Sequence, residues 1–196
     1  MKNLNTLWDL KAPFYYHLRR LPFLSRYTAQ EILCLKHLLS MLPENPEQIL
    51  DIGTGAGTTL SIYPKKSRVI VFDRSRSMIR SILRHFITVH SGIVGNACNL
   101  PFRRESVTLA AAVGITEYMP DLDVFLRAVH FILKPDAFFL VTCSPPHWKN
   151  RLRCLLGHRL YLRCTSDVLP VIHQNGYIVQ HRIDTPLQIQ MLLKKA

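Results

Sequence analysis

The sequence predicts a doubly wound, mostly parallel α/β sheet of seven strands, with helices on both faces and an antiparallel strand pair at the C-terminal end. Three observations carry this reading. Short apolar runs alternate along the chain with stretches of helical periodicity, the pattern of a parallel sheet covered on both sides. Several of these runs, such as Val107-Thr-Leu-Ala-Ala-Ala-Val113, hold no charge and read as buried on both faces. The last two runs are joined by only a few residues around Asp184-Thr-Pro186, too few for a crossover, so they must pair antiparallel.

The elements follow in order. Residues 28–42 predict an amphipathic helix, because Ile32, Leu35, Leu38, Leu39 and Leu42 recur at helical spacing and Pro43 and Pro46 end it. Residues 48–52 are the first strand, closed by Gly53-Thr-Gly-Ala-Gly57 at a strand-to-helix junction. Residues 68–72 are the second strand, ending at Asp73. Residues 75–90 predict a helix with Met78, Ile79, Ile82, Leu83 and Phe86 on one face and Arg76, Arg80 and Arg84 on another. A short third strand covers residues 93–94 and a fourth covers 107–113. A helix over 121–133 is stopped by Lys134-Pro135 and leads to the fifth strand, 137–143. A helix over 166–174 ends at Asn175-Gly176, a good C-terminal stop. Strands over 177–183 and 187–193 complete the sheet.

A chain of 196 residues fits one domain over 1–196, with an N-terminal helical cap at 1–46 and a basic, proline-initiated segment at 145–164. No apolar run approaches the ~20 residues that span a bilayer, and the N-terminus lacks the apolar core of a secretory signal. The five cysteines, Cys34, Cys98, Cys143, Cys154 and Cys164, are odd in number and form no Cys-x-x-Cys. They read as reduced thiols of a cytoplasmic protein that holds no metal.

The chain carries 25 Lys+Arg against 13 Asp+Glu, a net charge of +12. Residues 65–90 hold Lys65, Lys66, Arg68, Arg74, Arg76, Arg80 and Arg84 against Asp73 alone, and residues 147–164 hold five basic residues and no acid. Such an excess points to an anionic partner: nucleic acid, a membrane surface or an acidic small molecule.

The chemistry centres on Asp51-Ile-Gly53-Thr-Gly55-Ala-Gly57. Glycines after a strand let the backbone turn tightly and approach a ligand. Asp73 ends the next strand, 22 residues after Asp51, where an acid suits a ribose diol. The spacing differs from the Gly-x-Gly-x-x-Gly dinucleotide fingerprint, and no Gly-Lys-Ser/Thr of a P-loop follows.

With these motifs the chain resembles the class I S-adenosylmethionine (SAM)-dependent methyltransferases, over nearly its whole length. Ile49-Leu-Asp-Ile-Gly-Thr-Gly-Ala-Gly57 resembles their first motif and Val71-Phe-Asp-Arg-Ser-Arg-Ser-Met78 their acidic second. Gly95-Asn-Ala-Cys-Asn-Leu-Pro-Phe102 is similar to a Gly-Asp-Ala-x-x-Leu-Pro-Phe segment, and residues 126–135 to a helix ending in Leu-Lys-Pro. Trp8-Asp-Leu-Lys-Ala-Pro-Phe-Tyr15 is similar to the small-molecule, quinone-biosynthesis branch.

The resemblance implies a Rossmann-like fold, SAM as cofactor, and a cofactor site at Asp51, Gly53, Thr54, Gly55, Gly57, Asp73, Arg74, Met78, Asn96, Ala97, Gly114 and Ile115, with Tyr15 as a cover. The methionine end would sit over the glycine turn at a helix N-terminus, with Asp51 attracting its ammonium. Two departures stand out: Asn96 replaces an acid at the adenine amine, and Asp136-Ala137 replaces a Gly-Gly turn.

Glu117, Tyr118 and His147 follow the fourth and fifth strands and are candidate acceptor-orienting or catalytic groups. Capping and packing explain Glu117 and Tyr118 equally well, and a surface loop is the better reading of His147. Cys143 in Val-Thr-Cys-Ser resembles a nucleophile motif of RNA 5-methylcytosine enzymes, but their Pro-Cys is absent and a buried thiol is the better reading. The expected function is methyl transfer to a small-molecule or lipid-like, anionic acceptor, covered by residues 145–164 and 14–27. The chain is placed in the cytoplasm, free or at an anionic membrane surface. An RNA methyltransferase and a catalytically silent SAM-fold scaffold are the alternatives. Nucleic acid is disfavoured by the lack of a nucleobase motif.

Overall fold

The apolar runs assemble into one seven-stranded sheet in the order β3-β2-β1-β4-β5-β7-β6. Its strands are β1 (Gln48–Ile52), β2 (Arg68–Asp73), β3 (Val89–Val94), β4 (Val107–Ala112), β5 (Leu133–Cys143), β6 (Tyr177–Asp184) and β7 (Ile189–Lys195). The computed structural model describes residues 22–152 and 159–196. The helices are α1 (Pro22–Ser40), α2 (Arg76–His85), α3 (Leu122–Ile132), α4 (Trp148–Leu152) and α5 (Thr165–Gln174). Strands β1 to β5 run parallel, and β7 lies antiparallel between β5 and β6.

Alternation along the strands sorts side chains onto two faces. Leu50, Ile52, Phe72, Ala110, Phe139 and Val141 pack with Phe125 and Val129 of α3 and Val168 and Ile172 of α5. Ile49, Val69, Val71, Leu109, Ala111 and Leu140 pack with Leu35 and Leu38 of α1 and Ile79 and Ile82 of α2. Helices therefore cover both faces. The chain leaves β1 toward β2 on one side and resumes at β4 on the other, so the carboxyl ends of β1 and β4 flank the crevice where open α/β sheets bind ligands.

Four local expectations shift. The first helix begins at Pro22, six residues before the expected 28. The helix expected over 75–90 ends at His85: Phe86 turns extended and its N–H closes on the Ile82 carbonyl. Val89 then pairs with Val69, which lengthens the third strand to Val89–Val94. Strand β5 starts at Leu133 rather than 137, because Leu133 already pairs with Val107. Asp136, standing in for the expected glycine turn, takes φ 60° and forms an ion pair with Lys194 at 2.7 Å.

The glycine turn leads into a five-residue 3-10 helix, Thr58–Ile62, and not an α-helix. Tyr63 precedes Pro64 and is extended (ψ 145°), as residues before proline prefer. The helix N-terminus expected under the methionine end is therefore that of a short 3-10 helix. What the turn offers is its own backbone amides.

Candidate functional site

The turn after β1 is built for close approach. Gly53 has φ 71°, a conformation costly to residues with a side chain. A Cβ there would stand 2.1 Å from Ile115 Cγ2. The Gly53 N–H donates to the Phe72 carbonyl at 2.7 Å, tying the turn to β2.

Below the turn lies Asp51, 1% exposed. Its Oδ2 accepts from Thr54 Oγ1 (2.7 Å) and Thr59 Oγ1 (3.1 Å), and its Oδ1 from the Tyr63 hydroxyl (3.0 Å). Burial raises its pKa above the ordinary carboxylate value, and the three hydroxyl donors oppose that shift. Burial beside this carboxylate pushes the Tyr63 hydroxyl up as well. Asp51 thus organises the turn from beneath.

Asp73 closes β2 at the mouth of the same crevice. Its Oδ2 accepts from the Gly55 N–H and its Oδ1 from the Ser75 N–H, both at 2.9 Å. Burial raises its pKa, opposed by these amides. Ser75 caps α2 by accepting from the Met78 N–H at 3.3 Å. One carboxylate thus locks the glycine turn to the start of α2 and keeps lone pairs facing the crevice.

These elements enclose a cavity of about 380 Å³, within the ordinary range for small-ligand sites. Gly53, Thr54 and Gly55 form its floor, and Asp73, Arg74 and Met78 form one wall. Asn96, Ala97 and Cys98 form another, where the Asn96 side-chain carbonyl accepts from the Cys98 N–H at 3.1 Å. Gly114, Ile115, Tyr118, Met119 and Pro120 form the wall toward β4.

That last wall is braced from behind. The Gly114 N–H donates to Thr142 Oγ1 (2.9 Å), and Thr116 Oγ1 donates to the Thr142 carbonyl (2.7 Å). Arg163, from the basic segment, donates through Nη1 to the carbonyls of Thr116 (2.9 Å) and Tyr161 (3.2 Å), and through Nη2 to those of Met119 (2.6 Å) and Pro120 (3.2 Å). The Tyr161 N–H donates to the Glu117 carbonyl at 2.7 Å. Residues 159–164 are thereby laced to the cavity wall.

Gly53, Thr54, Gly55, Asp73, Arg74, Met78, Asn96, Ala97, Gly114 and Ile115 all line one cavity, as does Tyr118 among the catalytic candidates. Asp51 sits beneath it. Gly57 (φ 75°) caps the 3-10 helix, away from the lining. Glu117 is fully buried behind the Gly114 turn. His147 Nδ1 lies 3.3 Å from the Lys149 N–H at the start of α4 and is not among the lining residues. Tyr15, Arg153 and Cys154 lie outside the described residues. Cys143 is buried, and its thiol is pushed up to about 11 by that burial, which suits a packed thiol and not a nucleophile.

Cys98, Val113, Met119 and Pro120 also line the cavity but were not anticipated. Cys98 and Met119-Pro120 directly follow residues that were, and adjacency was the only available signal. Tyr63 and Arg163 were missed because their partners are distant or are main-chain carbonyls, which no motif records.

The profile of the methyltransferase-domain family matches residues 50–141. Botryococcene C-methyltransferase of Botryococcus braunii is 28% identical over 171 residues, covering 78% of this chain and 45% of that enzyme. The chain thus spans under half of that relative's length. Demethylmenaquinone methyltransferase of Chlamydia caviae is 27% identical over 166 residues, covering 82% of this chain and 69% of that enzyme. Among solved structures, geranyl diphosphate C-methyltransferase of Streptomyces coelicolor, in complex with Mg2+, geranyl diphosphate and S-adenosyl-L-homocysteine, superposes with a TM-score of 0.71 at 15% identity, covering 88% of this chain and 81% of that one. That likeness shows a shared fold.

Proposed function

From its membership of the class I SAM-dependent methyltransferases, we propose that this chain transfers a methyl group from SAM to a small, lipid-like acceptor. The observation that carries the reading is Asp73: one carboxylate, locked by the Gly55 and Ser75 amides, facing the cavity floored by the glycine turn. The residues fit the cofactor. Asp73 offers acceptors for a ribose diol, Met78 and Ala97 offer apolar contact for a base, and the turn offers backbone groups for an amino-acid end. When bound, SAM supplies an electrophilic sulfonium methyl.

The chain's part is to bind, orient and exclude water. The lining includes Val113, Ile115, Met119 and Pro120 beside Gly114, an apolar wall that desolvates an incoming acceptor. Alignment alone can supply a large share of a transfer rate. Asp73 is the only carboxylate among the described lining residues, and it is committed to main-chain amides, those of Gly55 and Ser75 among them. We therefore assign no general base. Tyr118 is the candidate to orient the acceptor, because its wall is held by Arg163. The basic segment, with exposed Arg151 and Arg159, is proposed to cover the acceptor and to favour an anionic group on it. The names of two relatives, a botryococcene C-methyltransferase and a demethylmenaquinone methyltransferase, support a lipid-like acceptor.

The test is to incubate the chain with methyl-labelled SAM and either a lipid extract, an aqueous metabolite fraction or total RNA. Label in the lipid fraction, lost in an Asp73→Ala variant, is the expected result. Label only in RNA, with a steep fall as salt rises, contradicts the reading.

A further inference from the structure

We infer that the outer face of α2, with the turn that follows it, is a docking surface for an anionic lipid bilayer. Met78, Ile79 and Ile82 bury the inner face of α2. Arg76, Arg80 and Arg84 are exposed on the outside, four residues apart, so that they share a face at roughly 100° per residue. Leu83, which sequence periodicity assigns to the buried face, is instead 48% exposed, and Ile87 in the next turn is fully exposed. The packing explains Leu83: its side chain only skirts the sheet, over Gly92 of β3.

The charge around these apolar groups is of one sign. Residues 74–104 contain no Asp or Glu. Among the described residues, none of the salt bridges involves Arg76, Arg80 or Arg84. Exposed Arg68, with Lys65 and Lys66 close by in the chain, extends the patch, since Val69 pairs with Val89 just past the Ile87 turn. Glu47, whose carbonyl accepts from the Arg68 N–H, is the acid at that margin. Strand β3 is the edge of the sheet.

An exposed isoleucine and leucine among unpaired arginines ask for a partner with two layers. An anionic bilayer has both: phosphates for the guanidinium groups and an acyl boundary for Leu83 and Ile87. RNA would satisfy the arginines but leave the aliphatic side chains with nothing to stack on. The helix also begins directly after Asp73-Arg74, on the rim of the cavity, so a docked α2 brings the cavity mouth to the lipid surface. The inference stands apart from the methyl-transfer reading, because docking requires no turnover.

It is tested by co-sedimentation of the full chain with vesicles of phosphatidylcholine alone or mixed with phosphatidylglycerol. Binding is expected only to the anionic vesicles. Arg76→Gln, Arg80→Gln and Arg84→Gln together should weaken it on the order of 100-fold, from about fivefold per charge. Leu83→Ser with Ile87→Ser should weaken it by roughly tenfold or more. Both variants should keep the wild-type thermal transition and circular-dichroism spectrum, which controls for folding without reference to any ligand. Equal binding to neutral and anionic vesicles, or unchanged binding of either variant, overturns the proposal. So does RNA binding through the same arginines without vesicle binding.

Discussion

Asp73→Asn separates the two tasks assigned to that carboxylate. In the wild type the Asp73 oxygens accept main-chain N–H groups, Oδ2 from Gly55 and Oδ1 from Ser75, both at 2.9 Å. An asparagine has one carbonyl oxygen, so whichever way the amide turns, its NH2 faces one of those N–H donors. One hydrogen bond to a charged acceptor is lost and a donor–donor contact replaces it, at a cost of about 1.5–3 kcal/mol. Part of that cost is offset, because a neutral amide is cheaper to bury than the carboxylate. A net loss of about 1–2 kcal/mol lowers Tm by roughly 2–8 °C for a chain of this size. Losing a charged acceptor for the ribose hydroxyls costs a further ~1.5–3 kcal/mol of affinity, or about 10–150-fold in Kd. Calorimetric titration with S-adenosylhomocysteine, paired with a thermal melt, reads both effects. Ser75→Ala is the control: it removes the α2 cap, which should cost about 1 kcal/mol of stability and leave affinity within a few-fold. If Asp73→Asn lowers Tm and leaves ligand affinity intact, Asp73 only organises a loop and the ribose assignment is wrong.

Other perturbations should act through the same geometry. Gly53→Ala would force a Cβ to within 2.1 Å of Ile115 Cγ2 at φ 71°; we expect a loss of at least about 2 kcal/mol and ligand binding weakened beyond titration, and a variant with normal Kd counts against the close-approach argument. Arg163→Lys cannot reproduce four main-chain contacts from a planar fork; turnover should fall at unchanged SAM affinity, and Tm should drop measurably. Burial raises the Asp73 pKa above 3.8, and ribose hydroxyls favour the ionised form, so affinity should rise as pH climbs from about 4 and flatten above the raised pKa. The stability effect runs the other way: with its folded pKa raised, Asp73's contribution to the stability of the unliganded chain falls as pH rises over that interval; a pH-independent Kd at constant ionic strength sinks this linkage. Cys143, its thiol pushed up to about 11, should resist iodoacetamide at mild alkaline pH while exposed Cys164 reacts; mass spectrometry of native protein would show otherwise if Cys143 were a nucleophile.

What the sequence reveals is local and what it hides is mostly long-range. Asp51, Gly53, Gly55 and Asp73 are legible because backbone turns and strand ends demand particular residue types at short spacing. The helix over 75–90 is overextended because Phe86 continues the apolar period although β-branched Thr88 and Val89 favour a strand. The extent of the 3-10 helix after Gly57 is hidden, because the glycine turn announces only a strand-to-helix junction, although Pro64 marks its end. The hydroxyl cage is half-legible: Thr54 and Thr59 are near Asp51, but Tyr63 reaches it only because the 3-10 helix turns the chain back. Arg163 reads as one more charge in a basic run, yet it is spent on the carbonyls of the cavity wall. Composition alone does not distinguish it from exposed Arg151 or Arg159.

The most direct test is a crystal structure of the full chain grown with S-adenosylhomocysteine. The account predicts ligand density in the cavity between Asp73 and Gly114, with both ribose hydroxyls within hydrogen-bond distance of the Asp73 carboxylate and the base between Met78 and Ala97. Density elsewhere, or a ribose turned away from Asp73, would contradict it.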